Sequence, residues 1–377
     1  MGQIGHFFYD LVFFNSFIAM RNLKNWVYGC ILFLACISIR LYSLNPARVE
    51  SGYSTGFFPG FSAFQRTVFG KIPFCIGDII YLLLFFWLIA LFSVFLSSLV
   101  RNKKIPNFFH TTLKCLFSLM ALYIIFNVFW GLNYNRKGIK WQLGLPEREQ
   151  YSTEDLRNLN CLLLDNINQS KRAIMNGQKK LSSGQLFKKV DEAYQSAAVQ
   201  FPFLQYQPVS IKPGLWGNWQ SYTGISGYYN PFTGEAQMNM HLPDFILPYT
   251  ACHEVAHQLG YAKEMEANFV GYIAAVSSKD TLFHYSAYID LFMYANMSLY
   301  FSDSSFARIC RNDLLPQVKE DYKRWRNFKR THQSFMNPVI TVLYGNFLKQ
   351  NQQPLGMQSY NAVTGFLIDW YKKYGKI

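Results

Sequence analysis

Three apolar runs dominate the first 132 positions, and none has the one-sided pattern of a helix resting on a soluble core. "IIYLLLFFWLIALFSVFLSSLV", Ile79 to Val100, is 22 residues without a charge, long enough to cross a bilayer. "WVYGCILFLACISIRLYSL", Trp26 to Leu44, reaches spanning length if Arg40 extends its side chain to the headgroups. "CLFSLMALYIIFNVFWGL", Cys115 to Leu132, holds one amide, Asn127, suited to bonding a neighbouring helix. The pattern predicts spans near 26–44, 79–100 and 112–132 within a transmembrane region 26–132. Ahead of it, residues 1–25 are apolar but broken by Asp10, and they lack a signal peptide's basic start. They read as an interfacial segment or, because Met20 is followed by the basic "RNLKNW", as an artefact of start-site assignment.

From residue 133 onward the pattern becomes that of a folded, more polar domain, 133–377. In "YSTEDLRNLNCLLLDNINQSKRAIM", Ser152 or Thr153 caps a predicted helix, with Glu154 and Asp155 in its first turn. "SSGQLFKKVDEAYQSAAVQF" predicts another, stopped by Pro202. The stretch "IKPGLWGNWQSYTGISGYYNPFTG" reads as turns and short strands. Residues 234–242, "GEAQMNMHL", alternate apolar and polar with a period of two, which predicts a half-buried strand. Pro248 then presets a helix start, Gly260 marks that helix's end, and a second helix begins around Glu264. The expected class is α+β: three transmembrane helices, then a mainly helical domain with a small sheet.

Composition supports the division: 50% of the chain is hydrophobic and only 15% charged, too apolar for an ordinary soluble enzyme. Lys and Arg exceed Asp and Glu by 26 to 19 from residue 133 onward, a difference of +7. The other +7 of the total +14 belongs to the membrane region, so the basic balance gives no support to a nucleic-acid partner. Arg21, Lys24, Arg101, Lys103, Lys104 and Lys114 flank the spans on one side, which places those segments in the cytoplasm. Residues 133–377 are then extracytoplasmic, on a multi-pass protein of the inner membrane. "KEDYKRWRNFKR", Lys319 to Arg330, reads as a solvated helix face or a patch attracted to anionic lipid. Cys161, Cys252 and Cys310 lack the paired spacing of a structural zinc site and read as small buried apolar residues.

The candidate chemistry lies in "ACHEVAHQLGYAKEMEANFVGYIAA", residues 251–275. His253 and His257, four apart on a helix, project from one face and can share a cation, with Glu254 beside them. This chain's own residue frequencies give roughly 0.003 chance occurrences of H-E-x-x-H. A single Zn2+ per chain needs a third protein ligand and an open position for water. Glu264 can return over the histidines after the Gly260 turn, and Glu266 is the alternative third ligand. Asn268 is placed to accept the other ring N–H of His253 or His257. Glu254 is then the general base for hydrolysis of a peptide or protein substrate. The strand 234–242 is expected to offer its free edge to that substrate. His241 reads as facing the site or as an exposed polar position. Tyr222, His332, Tyr344 and Tyr360 are candidate donors to the oxyanion.

"HEVAH" followed by "EMEAN" resembles the zincins whose third ligand is the Glu of an E-x-x-x-D pattern, the gluzincins. The resemblance implies that Glu264 binds zinc, with Asn268 where an acid is usual. More narrowly the chain resembles the bacterial membrane family termed domain of unknown function 3810. That resemblance rests on "VESGYSTGFFPGFSAFQR", "IPFCIGDIIYLLL", "WGLNYNR", "YTGISGYYNPFTGEAQMN", "LPYTACHEVAHQLGYAKEMEANFVGYIA" and "YGNFLKQNQQPLGMQSY". It implies a membrane-anchored, zincin-like metallopeptidase domain. The competing class is a non-catalytic membrane protein with a structural zinc or a partner-binding surface.

Overall fold

The computed structural model describes residues 26–101, 105–146, 148, 150–175, 180–354, 356 and 362–377. The N-terminal segment 1–25, Lys103, Lys104 and Tyr360 lie outside them. The chain is mostly helical with a small three-stranded sheet. It divides into two units, one of residues up to Asn45 with Leu83–Val128, the other of Pro46–Leu82 with Phe129–Ile377.

Three helices have windows long and apolar enough to cross a membrane: Trp26–Ser43, Ile76–Ser97 and Thr111–Phe129. None of the second or third window is buried, and Leu83 and Phe92 are 63% and 60% exposed. That is the burial pattern of side chains whose solvent is hydrocarbon. Within the first unit Gly29 admits a close approach, since a Cβ there would meet the Phe117 ring at 2.7 Å. Among the described residues Asn127 makes no hydrogen bond to a neighbouring helix, contrary to expectation. Its amide donates to the Tyr123 carbonyl at 2.9 Å, one turn back on its own helix, where a partner is always within reach.

In the second unit the sheet runs β1 (Ile211–Pro213), β3 (Glu235–Met238), β2 (Gly227–Asn230), with β1 parallel and β2 antiparallel to β3. The strand predicted over 234–242 is therefore shorter and central, with no free edge, and all four of its residues are buried. Its polar positions face protein rather than water. Glu235 accepts from Lys212 Nζ at 2.6 Å and Gly77 N at 2.7 Å, and Gln237 faces Asp78 and the Tyr228 hydroxyl. Alternation correctly indicates two unlike faces but not that the polar face is covered.

The cover comes from residues 46–82, which the sequence pattern assigns to the membrane region. A π-helical turn, Val49–Phe57, and the helix Phe58–Phe69 bury Val49, Tyr53 and Phe58 in the second unit. Arg66 donates to the carbonyls of Gln207, Pro208 and Gln258, and Gln65 to that of Pro231. The segment thus belongs with residues 129–377, although the pattern of the sequence puts the boundary at 132/133.

The helices follow local signals closely. Ser152 caps Thr153–Ile174 and Asp155 closes the capping box, as Ser182 and Gln185 do for Ser183–Gln200. The helices Leu247–Gln258 and Glu264–Val276 form the centre of the unit, and 10 residues of the first and 11 of the second are buried.

Candidate metal centre

Pro248 sits in the first turn of Leu247–Gln258, where its missing N–H costs nothing, and Gly260 follows its end at φ +89°. That left-handed residue reverses the chain so that Glu264 starts the next helix facing the last turn of the first. Gly271 lets the two helices close up, because a Cβ there would lie 2.9 Å from His253 N. The result brings His253, His257 and Glu264 together, with one donor atom of each within 4.8 Å of the others. Their side chains are 12%, 10% and 4% exposed.

The donor set fits a tetrahedral zinc. Bonds of 2.0–2.1 Å at tetrahedral angles set neighbouring ligand atoms about 3.3–3.4 Å apart. His253 Nε2 and His257 Nε2 lie 3.3 and 3.7 Å from the same oxygen, Glu264 Oε2. His257 Nδ1 is 2.7 Å from the Tyr261 carbonyl, which can only accept, so Nδ1 carries the proton. His257 Nε2 then faces a carboxylate, an arrangement that a proton or a metal ion between them would satisfy. Glu264 is further fixed by Tyr344, whose hydroxyl donates to Oε1, and by Gln353 Oε1, which accepts its backbone N–H at 3.0 Å.

Electrostatics agree with the geometry. Burial raises the Glu264 carboxyl, but the two imidazoles outweigh it and hold the group well below its usual range. Burial would lower His257, yet the facing carboxylate keeps it above its ordinary value. Burial pushes Glu254 up to about 7, against the pull of His253 and His257. Its Oε2 is buried without a hydrogen-bond partner. On the other side β2 presses against it, since a Cβ on Gly227 would lie 2.7 Å from Glu254 Oε1.

Several expected residues are elsewhere. Glu266 is outside the cluster and faces the chain at Gly138, whose added Cβ would meet Glu266 Oε1 at 2.1 Å, with Lys263 Nζ 3.7 Å away. Two positions along a helix turn it about 200° from Glu264, which is why it cannot share the ligand set. Asn268 orients neither histidine: His257 is held by Tyr261, and His253 Nδ1 and Asn268 Nδ2 are both buried without hydrogen-bond partners. On another helix, Thr281–Ser302, burial pushes Asp290 up to about 6 against the pull of His253 and Lys329. His241 is exposed, its ring beside Gly217. Tyr222 packs edge-on against His332 at 5.0 Å, and of the three candidate oxyanion donors among the described residues Tyr344 is the one in contact with the cluster.

What the sequence missed is the frame. Arg136, from "WGLNYNR", donates to the Gly260 carbonyl at 3.1 Å and pairs with Glu50 at 2.6 Å. Trp130, from the same stretch, meets the His257 ring edge-on at 6.0 Å. Nothing in the spacing of these residues ties them to the histidines, which lie more than a hundred positions later.

The family model described as "Protein of unknown function (DUF3810)" matches residues 53–368, and the chain belongs to that family. No curated protein and no solved structure matches it.

Proposed function

We propose that this family member is a membrane-anchored, zincin-like zinc metallopeptidase. Its C-terminal domain works on the extracytoplasmic side of the inner membrane, as the flanking charges indicate. The observation that carries the reading is the convergence of His253 Nε2 and His257 Nε2 on Glu264 Oε2 beside Glu254, whose own Oε2 has no partner. His253, His257 and Glu264 would hold one Zn2+. When bound, zinc acidifies a water and polarises the scissile carbonyl.

The chain's residues do the rest. Glu254, kept near neutral affinity for a proton by burial, accepts the water proton at Oε2 and returns it to the leaving amine. Tyr344 holds Glu264 Oε1, so that Oε2 faces the histidines. The free edge next to Glu254 is that of β2, not β3, and an extended peptide substrate would add to β2 at Gly227.

The enclosure of the ligands is what favours the rival reading, a metal held only for structure. Glu254→Gln separates the two. Purified full-length protein should retain zinc near one per chain with this change. Peptide mapping of membrane and periplasmic proteins from cells carrying either form should show cleavages that the variant loses. Identical maps would favour the structural role.

A further inference from the structure

The basic run Lys319–Arg330 takes no part in the metal centre. All of it lies in the helix Pro316–Thr331, which with Thr281–Ser302 and Ser304–Asn312 walls a cavity of about 580 Å3. The cavity has a divided lining. Arg311, Lys319, Arg326 and Lys329 stand around it, while Phe292, Met293, Met297, Leu314 and Trp325 supply apolar surface. No acidic residue lines it.

The four cations have no carboxylate at ion-pair distance, although Lys329 is attracted to Asp290. None forms an ion pair among the described residues, whereas Lys323 and Arg324 of the same helix pair with Glu320, Asp244 and Asp321. Arg311 lies over Tyr300 at 5.5 Å and Lys329 over Trp325 at 5.0 Å, contacts that position a charge without neutralising it. Lys319 Nζ gives one hydrogen bond to the Asn312 carbonyl and keeps two donors. Burial holds the Lys329 ammonium below its ordinary value, with Asp290 offsetting part of that effect. A solvated helix face would not gather its unpaired cations around an apolar hollow.

We propose that this cavity binds an anionic phospholipid, the phosphate at Arg326 and Lys329, one turn apart on their helix, with Arg311 and Lys319 adding positive charge along the rim, and the start of an acyl chain against Met293, Met297 and Trp325. Charge complementarity selects the anion, and the apolar floor selects one carrying a hydrocarbon chain over free phosphate or nucleic acid. The size lies within the range of pockets that enclose small ligands, enough for a headgroup and the first part of a chain. A chain with three helices of spanning length has such lipids at hand.

The test uses the full-length protein in neutral detergent, titrated with dihexanoyl phosphatidylglycerol, dihexanoyl phosphatidylcholine, inorganic phosphate or a short single-stranded RNA. Native mass spectrometry reads the stoichiometry. The phosphatidylglycerol should saturate one site, and Arg326→Gln or Lys329→Gln should each weaken it about tenfold, the loss of one charge-assisted hydrogen bond. Met297→Glu, at a half-exposed position that tolerates a polar residue, should abolish binding while leaving the melting curve unchanged. Equal binding of phosphatidylcholine would overturn the role of the cations. Equal binding of inorganic phosphate would overturn that of the apolar floor, and tighter binding of RNA would overturn the lipid assignment.

Discussion

Two buried glutamates, Glu50, linked through Arg136 to the Gly260 carbonyl, and Glu264, just after that turn, are treated in opposite ways. Glu50 is saturated: Arg136 meets it through two nitrogens at 2.6 and 3.0 Å, and Gly138 N and Gln142 Nε2 complete its shell. Glu264 is as deeply buried, but no arginine or lysine pairs with it among the described residues, and its Oε2 faces two imidazole nitrogens. A carboxylate is tolerated in an interior only when its charge is met. In one case the protein carries the counter-charge itself. In the other it sets two imidazoles against the carboxylate, and on the proposed reading a bound cation completes the positive charge.

The largest expected effect breaks the saturated side. Arg136→Met leaves Glu50 without its cation and Glu266 with Lys263 alone, and losing one partner of a buried pair costs about 3–5 kcal/mol. Thermal unfolding of the full-length protein in detergent should show that loss, and the double change Arg136→Met with Glu50→Met should recover much of it. Because Arg136 also holds the Gly260 carbonyl, the single variant should bind zinc more weakly as well. A single variant as stable as wild type would mean the turn is held by packing alone.

On the proposed reading, the open side should respond to metal instead. His257→Ala should reduce zinc from near one per chain to near zero while leaving the metal-free melting point within a few degrees of wild type. Zinc at a hundredfold excess over its dissociation constant adds about 2.7 kcal/mol to any protein that binds it only when folded. A chelator should therefore lower the wild-type melting point and leave that of His257→Ala alone. Glu264→Gln should behave like His257→Ala, whereas Glu50→Gln should keep its zinc. If Glu264→Gln retained full zinc, the contrast between the two carboxylates would fail. Zinc affinity should also fall as pH drops, because the imidazoles must give up protons to bind metal.

The same contrast explains how much of the site is legible in the sequence. His253, Glu254, His257, Gly260 and Glu264 fall within twelve positions, so helical spacing and a single turn suffice to bring them together. Glu50, Arg136 and Gly260 meet across more than two hundred positions, and no local rule connects them. Segment 46–82 misleads for a related reason: it lies between two spans in sequence, yet it buries its residues with those of the second unit. The role expected of Asn268 follows from helix-face arithmetic, which gives direction but not the competitor, here the Tyr261 carbonyl.

The smallest effect tests whether Glu254 acts by placement. Gly227 has no side chain where β2 passes the metal centre, and an added Cβ would lie 2.7 Å from Glu254 Oε1 and 2.8 Å from the Gln237 carbonyl. The carbonyl belongs to the paired strand β3 and has little room to retreat. The Glu254 side chain is the softer neighbour, so Gly227→Ala should displace that carboxylate by a few tenths of an ångström. Crowding of this kind costs about 1 kcal/mol, the low end for an overpacked core. None of the three candidate ligands is among the nearest neighbours of the new methyl, so zinc content should stay near one per chain. A base moved off its line to the water loses rate steeply, so the cleavages lost in Glu254→Gln should weaken in Gly227→Ala while the metal stays. If they persist at wild-type level with zinc intact, the carboxylate has tolerance to spare, and its closeness to β2 reflects packing rather than the positioning of a base.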